Sequence, residues 1–509
     1  MMDFKITNYD VSTEEIYLEQ AAELPIDTDF MLSDFEGDIK KILNCEITPY
    51  IITKQISGPS FIIEGDAIAN IIYCSSEGEL CNTKQEIPFK KVFEASKSLD
   101  GGYGEVNTTA IVHSCRAVTE RKISLRSSIK LNALVTVIEK SEIISDIDNN
   151  YFEQLKGDAE ATTPLGKTFK TFIIDEELVL PQNLPGAKKI IRTNAVSNIT
   201  DCKIVADKTI IKGNLKIDLL YLAEQNQFIK HCSNIPFNQI IDIPGISELC
   251  ECDADSYVCG LDISIRNSED DECRKLMLVS KLEISVFARC NSNIPVIYDI
   301  YSTQYITNPK LSEVKFSKLA KQIYEAFICK KVLSLPSDNA VKILDVWCKT
   351  GNNSIKYENN SAVISGAVTA YVIYENTDGF PDFFERIIDF EYPFNFDKSL
   401  NKPHCHPEIK ITNCDFSLTT SGEPELKLEL VIHAAVYDEC SYSVITELEI
   451  DENAPIKSKA SLIAYYADKG ENVWEIAKSF SAKRKEFLSL NKLNEDTVQN
   501  AKMLLIPLM

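Results

Sequence analysis

Phe61-Ile62-Ile63-Glu64-Gly65-Asp66-Ala67-Ile68-Ala69-Asn70-Ile71-Ile72-Tyr73 is dense in β-branched and aromatic residues. That composition suits a pleated, half-buried surface. A glycine stands in its middle, which marks a bulge or the close approach of another backbone. The stretch has two counterparts, Thr209 to Tyr221 and Ala362 to Tyr374, with Gly213 and Gly366 inside them. Working outward from each glycine, the same marks recur in the same order. Lys41-Ile42-Leu43, Lys189-Ile190-Ile191 and Lys342-Ile343-Leu344 each begin 24 residues before the glycine. Tyr73, Tyr221 and Tyr374 each stand 8 residues after it. Pro88-Phe89 and Pro236-Phe237 follow at 23 residues, and Pro393-Phe394 at 27. A Leu-Pro precedes each set, at Leu24-Pro25, Leu180-Pro181 and Leu335-Pro336. The glycines are 148 and 153 residues apart, so the chain holds three copies of one domain. Repeats of this length are expected to stand as separate beads rather than to stack as a solenoid.

Each copy reads as β. Leu215-Lys216-Ile217-Asp218-Leu219 and Leu426-Lys427-Leu428-Glu429-Leu430 alternate apolar and polar residues. The Ser75-Ser76-Glu77-Gly78, Ala223-Glu224-Gln225-Asn226 and Glu375-Asn376-Thr377-Asp378-Gly379 segments have hairpin-turn chemistry. A second pair of strands closes each copy, over Arg121 to Glu139, Arg274 to Arg289 and Glu423 to Tyr437. The expected fold is mainly β, with three sandwich- or barrel-like domains over 1–150 (with an N-terminal extension), 165–303 and 335–453. Leu319, Ile323, Phe327 and Ile328 stand at helical spacing, so 304–334 is expected to be a linker with a helix.

The whole chain of 509 residues has 53 Lys+Arg against 76 Asp+Glu, a net charge of −23. Nucleic-acid phosphates would repel it, so no nucleic acid is expected as partner. No run of 18 apolar residues spans a membrane. The N-terminus has neither the basic nor the apolar region of a signal peptide, so a cytosolic chain with reduced thiols among its 16 cysteines is expected.

Residues 460–509 differ. They carry seven Lys/Arg and six Asp/Glu, so the acidity belongs to the rest. Leu462-Ile463-Ala464-Tyr465-Tyr466 reads as a strand. Val473, Trp474, Ile476, Ala477 and Phe480 share helical spacing, with Ile476, Ala477 and Phe480 expected to face a small core. Glu486 to Asn491 reads as a second helix, and Leu504-Leu505-Ile506-Pro507 as a closing strand. The runs Gly470-Glu471-Asn472-Val473-Trp474-Glu475-Ile476-Ala477, Phe487-Leu488-Ser489-Leu490-Asn491-Lys492-Leu493 and Leu504-Leu505-Ile506-Pro507 resemble the LysM domain, a small α+β (βααβ) fold that binds N-acetylglucosamine glycans such as peptidoglycan. The resemblance places the groove at Gly470, Glu471, Asn472 and Val473 on one side and at Leu493 to Val498 on the other. Glu471, Asn472 and Ala501-Lys502 depart from the family pattern at that groove while the core positions keep to it. This points to a fold reused for a protein partner. Lys483-Arg484-Lys485 offers a basic spot between the helices.

With that tail, the three copies look like SPOCS domains, found in spore coat morphogenetic proteins that end in a LysM domain. The resemblance implies a non-enzymatic adaptor in the mother-cell cytoplasm, at the forespore surface, whose partner is a SpoIVA-like coat ATPase.

No Gly-x-Ser-x-Gly, phosphate-binding Gly-x-x-x-x-Gly-Lys or His-Glu-x-x-His occurs, so neither a catalytic residue nor a cofactor is assigned. Gly101-Gly102-Tyr103-Gly104 reads as a turn, and Glu269-Asp270-Asp271-Glu272 as a solvated loop. His404, His406 and Cys414 have the residue types of a zinc site, but alternation on a strand leaves three ligands at most, so no metal is assigned.

Overall fold

The computed structural model describes residues 5–223, 227–266, 273–334, 340–405, 407–419, 423–456, 461–493 and 497–508. The Leu335-Pro336 mark, His406, the Glu269 to Glu272 run and Glu224 to Asn226 of the second turn lie outside the described residues.

The first unit comprises β1 (Lys5–Met31), β2 (Ile39–Ser57), β3 (Ser60–Ser75), β4 (Leu80–Glu94), β5 (Tyr103–Thr119) and β6 (Lys122–Asp148). Its sheets have the orders β2-β3-β4 and β1-β6-β5, and they pack face to face over Ile63, Phe89, Leu125 and Leu131. The second unit repeats this with β7 (Phe152–Val179), β8 (Ala187–Val205), β9 (Lys208–Ala223), β10 (Phe228–Asp242), β11 (Cys250–Ile265) and β12 (Lys275–Ser302). The third has β13 (Tyr305–Val332), β14 (Ala340–Glu358), β15 (Ser361–Asn376), β16 (Pro381–Asn395), the short β17 (Pro403–His404), β18 (Glu408–Leu418) and β19 (Pro424–Pro455). The N-terminal stretch is therefore no extension: β1 pairs with β6 along its whole length.

The three glycines occupy one position. Each lies on the middle strand, opposite Phe89, Phe237 or Phe390. A Cβ added there would collide with that ring, and at Gly65 and Gly213 also with a carbonyl of the neighbouring bulged strand. The bulges fall at Ile51/Thr53, Ile199/Asp201 and Thr350/Asn353. The third counterpart of Phe89 is thus Phe390 and not Phe394, and the glycine-to-phenylalanine interval is 24 in all three units. The Leu-Pro mark is also corrected. Leu32, Leu180 and Leu333 make the equivalent backbone bond to the start of the last strand, whereas Leu24-Pro25 lies eight residues earlier inside β1.

Residues 305–332 form a strand, β13, and not a linker helix. Phe327 pairs with Leu430 and Ile323 with Ala434. Spacing of four residues satisfies a period of two as well as a period of 3.6. The deciding residue is Ile328, which a helix would bury beside Phe327 but which is 57% exposed on the far face of the strand. The third unit consequently begins at β13, and the second at β7.

The units are not separate beads. β4 touches β8, β10 touches β14 through Lys230, and β16 touches β2, so the third unit returns to the first and closes a ring. Equivalent residues meet at its centre. Ile72, Leu220 and Ile373 are buried in one cluster with Leu43, Ile191 and Trp347. The long strand pairs β1/β6, β7/β12 and β13/β19 bulge at matching places, Ile16/Leu18, Ala288/Arg289 and Leu319/Lys321. Beyond the bulges they pack against one another, burying Ile143, Val296 and Val444 in one cluster and Ile144, Ile297 and Ile445 in the next. An approximate three-fold axis runs through both layers.

Residues 461–508 form β20 (Leu462–Ala467), α1 (Val473–Ser479), α2 (Arg484–Asn491) and β21 (Lys502–Pro507), with β20 and β21 antiparallel.

Candidate docking site

The second register shifts of β2, β8 and β14 put Asn44, Arg192 and Asp345 at one position, directly across from Ile72, Leu220 and Ile373. One polar, one cationic and one anionic side chain thus converge near the axis. Arg192 Nε donates to Asp345 Oδ2 at 2.7 Å, and its guanidinium lies 4.8 Å from the Trp347 ring centre. Asp345 is fully buried. Burial opposes the charge on Arg192, but Asp345 and Glu46 outweigh it and hold its pKa above the ordinary value. Glu46 accepts from Trp347 Nε1 at 3.1 Å and pairs with Lys349 at 2.5 Å, which binds unit one to unit three. A cleft of about 280 Å³ opens beside this pair between units two and three, lined by Arg192, Lys230, Lys410, Cys348 and Cys414.

A second charged cluster joins units two and three. His433 on β19 faces Asp253 and Asp255 on β11, with Nδ1 3.1 Å from Asp255 Oδ2. Tyr324 stands edge-on to the imidazole, Gln322 and Arg289 bond Asp253, and Lys410 pairs with Asp255 at 2.6 Å. Burial alone would lower the pKa of His433, but hydrogen bonds to the two carboxylates push it up to about 10. Burial, and then the proton shared with Asp255, push Glu408 up to about 7. Burial would also raise Asp255, yet Lys410, Glu408 and His433 hold it well below the usual carboxylate range.

A raised histidine stabilises the fold fully below its unfolded value near 6.5, and the contribution is lost as pH rises through 10. The raised Glu408 loses its contribution as pH rises through 7, and the lowered Asp255 loses its own only as pH falls below about 4. The denaturation midpoint is therefore expected to be highest near pH 4–5, to fall first as Glu408 titrates toward pH 7, and to go on falling to pH 10 as His433 does. His433→Gln should flatten that fall, and an unchanged slope in urea melts at pH 5.5, 7.5 and 9.5 would contradict this assignment.

The C-terminal module is seated on the second unit. Trp474 Nε1 donates to Asp299 Oδ2 at 2.7 Å, and Lys478 Nζ reaches both oxygens of Asp299 at 2.7 and 2.8 Å. The Tyr301 ring stands edge-on to Trp474, and its hydroxyl donates to the Ala482 carbonyl at 2.7 Å. Tyr301 is buried with Trp474, Ile476, Phe487, Leu504 and Ile506 in one core. The helix therefore uses Ile476 and Ala477 inward and Trp474 toward the ring, while Phe480 is half-buried against Tyr465.

The positions selected from sequence fare unevenly. Gly470 adopts a left-handed φ of 92°, which its lack of a Cβ permits. Asn472 caps α1, its Oδ1 accepting from Trp474 N at 2.8 Å. Glu471 accepts from Tyr465 Oη and from Asp468 N, both at 3.0 Å. Val473 is completely buried and cannot be a surface contact, because it is the first core residue of the helix. Leu493 is half-buried against the core. The two loops are tied together, Gly470 N to Val498 O at 2.8 Å and Val498 N to Glu471 O at 2.9 Å. Lys483-Arg484-Lys485 is not a basic patch. Lys483 is the N-cap residue of α2 and faces Glu486, and Arg484 turns to the Trp474 ring, so Lys485 alone is exposed. His404 and Cys414 cannot share a metal. They stand against Tyr437 and Leu428 of β19, nine residues apart, or roughly 30 Å along the strand.

What sequence reading missed is the outer face of β20 and β21, where Leu462, Tyr466 and Met503 are 49%, 77% and 51% exposed. Tyr466 pairs directly across from Met503. The strands' alternation was the available signal.

Compared with known protein families, residues 38–118 and 187–266 match the model described as SipL, SPOCS domain. Those two regions are SPOCS domains of the kind the SipL family model describes. Each match begins at the second strand and ends at the fifth strand of its unit, β2 to β5 and β8 to β11. The third unit follows the same strand order from β14 to β18. SPOCS domains of this family make the chain a sporulation-related protein. No curated protein and no solved structure matches it.

Proposed function

We propose that the chain is a non-enzymatic morphogenetic adaptor of the spore coat. The ring of SPOCS units is the scaffold, and the C-terminal module presents a binding face to a SpoIVA-like coat ATPase, in the mother-cell cytoplasm at the forespore surface. The observation that carries this is the division of labour on the module. Trp474 and Lys478 are spent on Asp299, and the loops at Gly470 to Asn472 on each other and on their own helix. Leu462, Tyr466 and Met503 are left to solvent, and exposed apolar side chains of this kind mark protein contacts. Aromatic anchors supply much of the energy in such contacts.

Peptidoglycan, the ligand implied by the LysM resemblance, is the other arm of the test. Full-length chain and its Tyr466→Ser/Met503→Ser variant are to be assayed for capture of the coat ATPase and for sedimentation with purified peptidoglycan. The adaptor reading expects capture by the wild type, a loss of at least tenfold in the variant, and no sedimentation by either. Sedimentation with an unchanged coat ATPase capture would transfer the module's role to the glycan.

A further inference from the structure

Every SPOCS unit brings two thiols together on the same pair of strands. In the first unit Cys45 on β2 and Cys115 on β5 pack against the same core clusters, close enough for each thiol to shift the ionisation of the other. In the second, Cys202 on β8 and Cys252 on β11 are 2.6 Å apart, sulfur to sulfur. In the third, Cys348 on β14 and Cys414 on β18 are 3.4 Å apart. These are edge strands of the two different sheets of each unit, β2 and β5, β8 and β11, β14 and β18, which meet side by side without backbone pairing. The pairs are not copies of one residue. Cys45 lies across from Ile71, Cys202 from Ile211 and Cys348 from Ala370, three different levels of the seam. The shared feature is the seam itself, occupied by a thiol pair three times.

We propose that these three seams are oxidation sites, at which a low-molecular-weight disulfide converts each thiol pair into a bond that fastens the two sheets of its sandwich. One cysteine thiolate attacks a sulfur of R–S–S–R and releases R–S⁻, which takes up a proton as R–SH. The second cysteine, as its thiolate, attacks the protein sulfur of that mixed disulfide and releases the second R–SH. Two electrons pass from the two cysteines to R–S–S–R, and one S–S bond replaces another. Within each pair one thiol donates to the other, which eases ionisation of the acceptor: Cys115, Cys252 and Cys414 lie below the ordinary thiol value for that reason first. Reagent access is provided, since five of the six thiols are partly exposed. The buried one, Cys348, lines the cleft between units two and three together with Cys414. Arg192, Lys230, Lys410 and Asp218 make the walls polar, and glutathione disulfide is the low-molecular-weight disulfide used as the probe. The resulting loops would span 50 residues in unit two and 66 in unit three, long enough to restrict the unfolded chain substantially.

The test uses the full-length chain, reduced, desalted and incubated folded with glutathione disulfide. It is then unfolded in alkylating reagent and mapped by peptide mass. Cys250 on β11 and Cys290 on β12 stand directly across from each other and are already joined by a disulfide, so the expectation of reduced thiols fails for that pair. The expected result is the loss of eight of the sixteen cysteines to alkylation, namely the three proposed pairs and this existing one, with crosslinked peptides 45–115, 202–252 and 348–414. Cys74, Cys81, Cys259, Cys329 and Cys405 should alkylate fully. Cys414→Ser should leave Cys348 free or bound to glutathione while the other two crosslinks still form, which separates pairing from a general effect on folding. Full alkylation of the six thiols after incubation, or crosslinks scattered among the other cysteines, would overturn the proposal.

Discussion

Asp345→Ala is expected to destabilise the ring by about 3–5 kcal/mol, the usual effect of removing one partner of a buried ion pair. Asp345 is fully buried, and its loss would leave Arg192, itself 3% exposed, without the carboxylate that accepts from its Nε. The two residues belong to different units, so the damage should appear as loosening of unit three from unit two rather than as unfolding of either sandwich. The double replacement Arg192→Met/Asp345→Leu should recover most of the loss, because an apolar pair of similar volume needs no compensating charge. Urea denaturation of the three variants would read this order. A single variant as stable as the wild type would mean that the pair is solvated and that the ring is open at its centre.

Ile476→Ala is the second large effect. Ile476 is 5% exposed in the module's core, and such truncations cost about 2–5 kcal/mol. A module of some fifty residues has little stability in reserve. Hydrogen exchange over residues 461–508 should therefore lose its protection while the ring keeps its own. Asn472→Ala removes only the α1 cap, a cost of about 0.5–2 kcal/mol, and should leave the module folded. The opposite order of damage would show that the helix is placed wrongly in the core.

The repeated sequence intervals made the sandwiches legible because they fix backbone events. The glycine must be a glycine where Phe89, Phe237 and Phe390 close over it. Marks that are only side-chain dipeptides misled. Pro393-Phe394 copies Pro236-Phe237 in letters, but the strand pairing selects Phe390. Likewise Leu319, Ile323 and Phe327 fit either period, and only Ile328, on the far face, distinguishes them. The ring was not legible because its closing contacts join residues hundreds of positions apart, as in Lys41 to Asp382 at 2.7 Å. One trace of it was present: Asn44, Arg192 and Asp345 are separated by the same 148 and 153 residues as the glycines. At the module, sequence reading found the capping and loop residues but not their employment. It had no means of placing Asp299 and Tyr301, which belong to the second unit, beside Trp474.

The central claim is that the module, seated on the ring, recruits the chain to its partner. The most direct test is to express in sporulating cells the full chain and a chain lacking residues 457–509, and to measure forespore localisation together with co-purification of the SpoIVA-like coat ATPase. The account predicts that the truncated chain folds, remains diffuse in the mother cell and loses the partner. Localisation and capture at full strength without those residues would contradict it and assign the recruiting surface to the SPOCS ring.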